Sequence, residues 1–433
     1  MRDRRRFVAA AAATLGLGGR TYAKAAVYDV VIIGAGVAGL TAARRLQALG
    51  RSFVVLEACD RIGGRAWTQD FMGVPVDRGA HWLHSADINP LRPVAQADGA
   101  QLRRTSRAEG RLFSGPGRLA TGAEADLGAS DVALESAFAE GWERLGTTSL
   151  AEIAAGEGAL SAKVLAFAIG EEPERIAASD VAMLDAGGAD LEIEGGLGAF
   201  VRRFGADVPV RLGARVEHVD WSKPGRVKVS GAFGEVQARA CLVTAPPAVL
   251  AAGAGPRFHP PLPLAKQEAI ARLPMGVFTK VALRLDRPMP DLPLYSIDSA
   301  RLSRGELHAL HCGPGDLAAT LMLGGDAARA VIAAGSDAAV AEAQAVLAAV
   351  AGASAVTQVR GGLLSEWRSD PFSLGSYAYA PPGAGDPRRD FAMPVEDRLF
   401  FAGDTVGGDL AMTVGGAYRS GKAAAEALNQ TLA

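Results

Sequence analysis

The stretch Gly34-Ala35-Gly36-Val37-Ala38-Gly39 has the spacing G-x-G-x-x-G. In such a loop Gly34 permits the tight turn, Gly36 lets the backbone approach a pyrophosphate, and Gly39 lets a helix lie close on a strand. Glu57 follows at the distance at which an acid meets a ribose diol. Just past it, Asp60-Arg61-Ile62-Gly63-Gly64-Arg65 supplies two cations and two glycines, and Arg65 can grip a phosphate as a bidentate fork. These residues predict dinucleotide binding, a unit that NAD and FAD share. Two further side chains could do chemistry. Lys280 interrupts the apolar segment Met275–Val281, where a lysine is costly to bury unless paired; the other reading is the exposed face of an edge strand. His81 lies in Gly79-Ala80-His81-Trp82-Leu83-His84, and a neutral imidazole can accept a hydrogen bond from an ammonium or help deprotonate it; the alternative is a histidine that only packs.

The elements that must position these residues are legible around them. Residues 28–33 form an apolar run that reads as a buried parallel strand. A helix over about 37–49 and a strand over 53–56 complete a βαβ unit. Helix N-termini offer unpaired N–H groups and partial positive charge, which suits an anion at Gly36 and Ala38. Residues 87–194 read as mostly helical, an insert. Strands return at 208–219 and 226–244, with a turn at Lys223-Pro224-Gly225, and again at 278–286. Residues 326–351 read as a helix or helix pair, 365–390 as loop, 399–402 as a last strand and 411–430 as a last helix. The expected fold class is α/β, with a Rossmann-type (GR2-like) dinucleotide domain and an α+β substrate domain, each built from discontinuous segments. The first takes 26–86, 195–262 and 388–433; the second takes 87–194 and 263–387.

Hydrophobic residues make up 49 % and charged residues 21 %, which marks a globular chain. The first 25 residues stand apart: Arg2, Arg4, Arg5 and Arg6, an apolar run from Phe7 to about Leu17, then Ala23-Lys24-Ala25. That is the layout of an export signal with a small-x-small cleavage site, and the run is too short to span a bilayer. Asp3-Arg4-Arg5-Arg6-Phe7-Val8 resembles the twin-arginine signal, which predicts a periplasmic protein with no membrane anchor after processing. A frayed basic terminus is the other reading. The segment is basic, so its removal leaves a chain more acidic than the net −2 of the whole. That argues against nucleic acid and favours cationic small molecules. Cys59, Cys241 and Cys312 show no CxxC or other metal spacing and no disulfide framework.

Taken together, VVIIGAGVAGLTAARRLQALG…VVLEACDRIGGR resembles the flavin amine oxidase family, which includes monoamine oxidases, polyamine oxidases and flavin-type lysine demethylases. The resemblance covers essentially the whole chain after residue 25. It implies noncovalent FAD and an amine substrate. By resemblance, Gly79-Ala80-His81-Trp82 lines the flavin, with His81 toward the amine, and is similar to polyamine oxidases in particular. Val216 matches a position whose backbone meets adenine. Lys280 matches a lysine that holds a water against flavin N5. Trp367 and Tyr377 match the substrate-side wall, Tyr377 being one half of an aromatic pair whose other half falls on Thr413. Gly403, Asp404, Thr413 and Val414 match the far end of the cradle, with Asp404 where Glu is usual. Ser376 stands where monoamine oxidases carry a flavin-linked Cys, and Cys59 stands where an Arg is common.

The family chemistry is a two-electron oxidation of a C–N bond, with the flavin carrying the redox step. The resemblance implies Lys280, His81, Tyr377 and Thr413 at the reacting centre and a polyamine as substrate. Asp185, Glu192 and Glu194 are candidate partners for a distal ammonium. Electrons would pass to O2 or to a periplasmic carrier such as a cytochrome. An amino-acid or simple monoamine oxidase on the same fold is the alternative; a flavin-binding protein without turnover is the reading from another class.

Overall fold

In a computed structural model, the structure describes residues 27–105, 113–115, 118–119, 123–184, 188–289, 307–313 and 315–433. The expected export signal and Asp185 lie outside the described residues.

The N-terminal strand Val27–Ile33 is flanked on both edges by parallel partners, Phe53–Leu56 and Gly234–Val243. Val30, Val31 and Ile32 are fully buried, as a strand covered on both faces requires. Gly234–Val243 is the hinge of the eight-stranded sheet. Its C-terminal half also pairs in parallel with Leu399–Phe401. Its N-terminal half forms an antiparallel hairpin with Val227–Gly231. The stretch read from sequence as one strand over 226–244 is therefore two strands, turned at Gly231–Gly234. Likewise 208–219 is two short strands, Val210–Arg211 and His218–Asp220, on opposite sides of the sheet.

Two helices lean on this sheet. Val37–Ala48 follows the glycine loop, and Val414–Thr431 packs along it. Their contact is close enough that a Cβ at Gly421 would meet the Ala38 carbonyl at 2.2 Å. Both N-termini therefore face the same end of the sheet, although their residues are far apart in the chain.

A second, four-stranded antiparallel sheet runs His308–His311, Ala318–Gly324, Phe278–Leu285, Val359–Leu364. The expected helix pair is Gly325–Ala334 and Ser336–Ala351, separated by Gly335, and it packs on this sheet. A third sheet joins Trp82–Leu83, Asp190–Ile193 and Leu102–Thr105. Helices dominate 87–194 as read from sequence, but the segment also contributes the strands Leu102–Thr105 and Asp190–Ile193 to this sheet. The described helices include Ala123–Glu140 and Ala159–Ile169. The three sheets meet around the end of the large sheet where the two helix N-termini lie.

Candidate active site

The glycine loop is built by sterics. Gly34 has φ +102°, and a Cβ at Gly39 would sit 2.0 Å from the Gly34 carbonyl oxygen, so the helix can start only with glycine there. Gly36 is different: a Cβ there would meet nothing within 4 Å. It borders an elongated cavity, and its open side is the room a pyrophosphate needs. Glu57 ends its strand buried, with its carboxylate accepting from Ala35 N at 2.6 Å and Cys59 N at 2.9 Å. The cavity runs from Glu57 and Val216 past Gly36, Ala38, Gly64 and Arg65 to Ala80, Trp367, Gly403 and Asp404, and ends at Lys280, Tyr377, Thr413 and Val414. At that far end Thr413 caps the C-terminal helix, its hydroxyl accepting from Gly416 N at 3.1 Å. A long groove between two helix N-termini, with an acid at one end and an open glycine between, fits a dinucleotide cofactor.

Arg65 and Asp404 do not stand free for that cofactor. They form a bidentate pair, with Arg65 Nη2 2.6 Å and Nη1 3.1 Å from the two carboxylate oxygens. Arg65 also donates to the Ser376 carbonyl. The fork expected on phosphate is thus engaged by the acid expected on the ribityl chain, because the fold brings both to one rim. Ser376 presents a hydroxyl that donates to Phe278 O at 2.8 Å and offers no thiol for a covalent link. Cys59 is no reactive substitute: burial pushes its thiol up to about 12.

A second cavity adjoins the first. The two share Gly79, Ala80, Phe278, Lys280, Tyr377, Met412, Thr413 and Val414. Lys280, Tyr377 and Thr413 are therefore brought together at one junction, though they come from three distant segments. The second cavity is mainly apolar, walled by Val164, Leu165, Phe167 and Met322, with Phe278 stacked edge-on against Phe167 at 5.4 Å. Lys280 is buried. Its Nζ donates to Gly79 O at 2.6 Å and Asp77 O at 3.3 Å and sits 5.6 Å from the Trp82 ring. Burial lowers its pKa to about 8, against the pull of Asp77 and Glu192. Burial also raises the Tyr377 phenol to about 12, so the ring stays neutral.

His81 and Trp82, expected against the cofactor, line only the second cavity. Their strand pairs with Asp190–Ile193, and the Trp82 indole N–H is drawn to Glu192 at 3.1 Å. His81 faces Asp77 through Nδ1 at 3.4 Å, while its Nε2 is buried and turned toward Glu192. That corrects the expectation of an imidazole nitrogen aimed at the substrate. Burial works against charge on His81, but Asp77 and then Glu192 outweigh it and raise its pKa. Asp77 is itself anchored by Leu197 N at 2.9 Å, at a helix start; burial opposes its charge, but His81 and Lys280 hold its carboxyl below the ordinary value.

Of the three acids named for a distal ammonium, Glu194 is exposed and Glu192 is buried beneath Arg103 and Thr105. Burial opposes the Glu192 charge, yet His311 and His81 hold it well below the usual range. The acid that reaches the second cavity is Asp190, two residues earlier on the same strand face. It is 6 % exposed and paired with His84 Nδ1 at 3.0 Å. Sequence reasoning passed over Asp190 and gave His84 no role; the signal was the alternation Asp190, Glu192, which puts both on one strand face.

The family described as "Flavin containing amine oxidoreductase" matches residues 37–129 and 127–429. Polyamine oxidase 2 of Arabidopsis thaliana is 32 % identical over 439 residues, covering 92 % of this chain and 87 % of that protein. Polyamine oxidase 3 of Oryza sativa subsp. japonica is 30 % identical, over 92 % and 88 %. Among solved structures, cyclohexylamine oxidase from Brevibacterium oxydans IH-35A superposes with a TM-score of 0.78 at 22 % identity, covering 94 % of this chain and 99 % of that one. A putrescine oxidase bound to putrescine gives 0.77 at 21 %, over 93 % and 98 %.

Proposed function

The chain belongs to the flavin-containing amine oxidoreductase family as an FAD-dependent amine oxidase, and we propose that its substrate is a di- or polyamine. One observation carries the substrate reading. At the junction with the FAD cavity the second cavity has a cation, Lys280, and in its own wall it has a single carboxylate among the described lining residues, Asp190. A charged nitrogen beside Lys280 is repelled, so the reacting nitrogen enters neutral. A second nitrogen keeps its charge against Asp190. A molecule with two amines separated by an apolar chain meets both demands. The polyamine oxidases among the relatives point the same way.

FAD, held noncovalently in the groove, would supply the two-electron acceptor for oxidation of the amine's C–N bond. The chain's own residues do the rest. Gly36 and the two helix N-termini would hold the cofactor's anionic centre, and Glu57 its ribose. Phe278 and Tyr377 flank the amine's carbon chain, and Val164, Leu165 and Phe167 exclude water. Lys280 holds positive charge where the two cavities meet.

A simple monoamine is the second reading, favoured by the apolar walls. An amino acid fits less well, since no arginine lines the second cavity among the described residues. Residues 1–25 read as a twin-arginine export signal, and electrons then pass to O2 or to a periplasmic carrier such as a cytochrome. No helix among the described residues is long and apolar enough to cross a membrane. Turnover of a panel of amines and amino acids, with the aldehyde trapped, tests the substrate reading. Di- and polyamines should exceed monoamines of equal chain length in kcat/KM; the reverse order would sink it.

A further inference from the structure

Three side chains that no sequence spacing connects meet behind the wall of the second cavity: His81, Glu192 and His311. They come from the residue before Trp82–Leu83 at one edge of the three-stranded sheet, from its middle strand, and from the end of His308–His311 in the four-stranded sheet. Their ligand-capable atoms all lie within 4.8 Å of one another. His311 Nε2 is 2.7 Å and His81 Nε2 3.7 Å from Glu192 Oε1. Yet both Nε2 atoms are buried without a hydrogen-bond partner, and His311 is only 7 % exposed. A proton on His311 Nε2 would point off the carboxylate oxygen, and His81 Nε2 is too far from it. Two buried imidazole nitrogens left unpaired around one carboxylate are costly unless another species sits among them.

We propose that His81 Nε2, His311 Nε2 and Glu192 Oε1 form a binding site for a divalent cation of the zinc class, with a fourth position open. Two imidazoles and one carboxylate suit zinc better than magnesium or calcium, which prefer oxygen throughout. The outer partners are in place. Asp77 beside His81 Nδ1 draws the proton to that nitrogen and leaves Nε2 as the ligand. Arg103 Nε at 2.9 Å holds the other Glu192 oxygen, while the Thr105 hydroxyl at 2.9 Å and the Trp82 indole at 3.1 Å donate to Oε1 itself and fix its orientation. Charge also allows a dication: Asp77, Asp190, Glu192 and Asp316 outnumber Arg103 and Lys280 by two. Because His81 also lines the second cavity, an ion there would fix that wall. The site stands whether or not a polyamine is the substrate.

The test uses the FAD-loaded, full-length protein, stripped with a chelator and dialysed against micromolar zinc, with metal per chain as readout. The expected result is one zinc per chain, weakened about 100-fold or more by His311→Ala. His218→Ala, an exposed histidine of the large sheet, should change nothing. His311→Asn serves if the alanine variant fails to retain FAD, whose absorbance reports folding. Absence of stoichiometric zinc in the micromolar range, or binding that survives both His311 variants, would overturn the site.

Discussion

Asp190→Asn removes one charge and keeps the side chain's size, so it isolates what the carboxylate does. Asp190 is 6 % exposed, in a cavity that Val164, Leu165 and Phe167 also line. Truncating one partner of such a buried ion pair costs about 2–5 kcal/mol. His84 at 3.0 Å already shares this carboxylate, so the lower end, about 2–3 kcal/mol, applies to the substrate's ammonium. At 1.4 kcal/mol per tenfold, that is roughly 30- to 150-fold in kcat/KM for a diamine. A monoamine of the same chain length has no second ammonium to lose and should change by less than about threefold. The assay is steady-state kinetics of both substrates on wild type and variant, with flavin content measured to normalise active enzyme. Equal losses for both substrates would mean that Asp190 only supports the fold. An unchanged diamine would mean that the distal nitrogen is read elsewhere, and would refute the role of Asp190 in substrate choice.

Burial lowers Lys280 to about 8, whereas an unfolded lysine titrates near 10.5. Below about 8 both states carry the charge and the burial penalty is full; as pH rises from 8 to 10.5 the native state sheds its proton first. Wild-type stability should therefore rise across that window by up to about 3 kcal/mol relative to Lys280→Met, read by denaturant melts. Lys266 Nζ donates to the carbonyls of Asp390, Phe391 and Met393 at 2.6–2.7 Å, so Lys266→Met should destabilise by about 2–4 kcal/mol with little change in KM; an unchanged melting temperature would refute that clamp. Replacing Arg4 and Arg5 together by Lys should retain the protein in the cytoplasm on fractionation; normal export would remove the twin-arginine reading.

The parts of the site legible in sequence are those whose spacing is local. Gly34, Gly36 and Gly39 are set by one turn, and Glu57 by the end of the next strand, so short-range sterics give them away. Lys280 stands out because a charge in an apolar strand is rare. What spacing could not show is how distant segments meet. Arg65 and Asp404 each suggest a cofactor contact, but only the fold reveals that they bind each other. Glu192 and Asp190 share a strand face, and nothing in their alternation tells which one opens on the cavity. That depends on Arg103 and Thr105 from a neighbouring strand, which cover the first and leave the second. The strand His308–His311 escaped notice because all four residues are buried, so its sequence lacks the polar–apolar alternation of a half-exposed strand. With it went His311, and the cluster around Glu192.

The long groove would hold FAD, and the adjoining cavity would deliver an amine to it. Anaerobic mixing of the FAD-loaded protein with a diamine tests both at once through the flavin's visible absorbance. Bleaching on mixing is expected, faster than with a monoamine of equal length. Failure of every mono-, di- and polyamine to bleach a flavin that a chemical reductant still bleaches would contradict it.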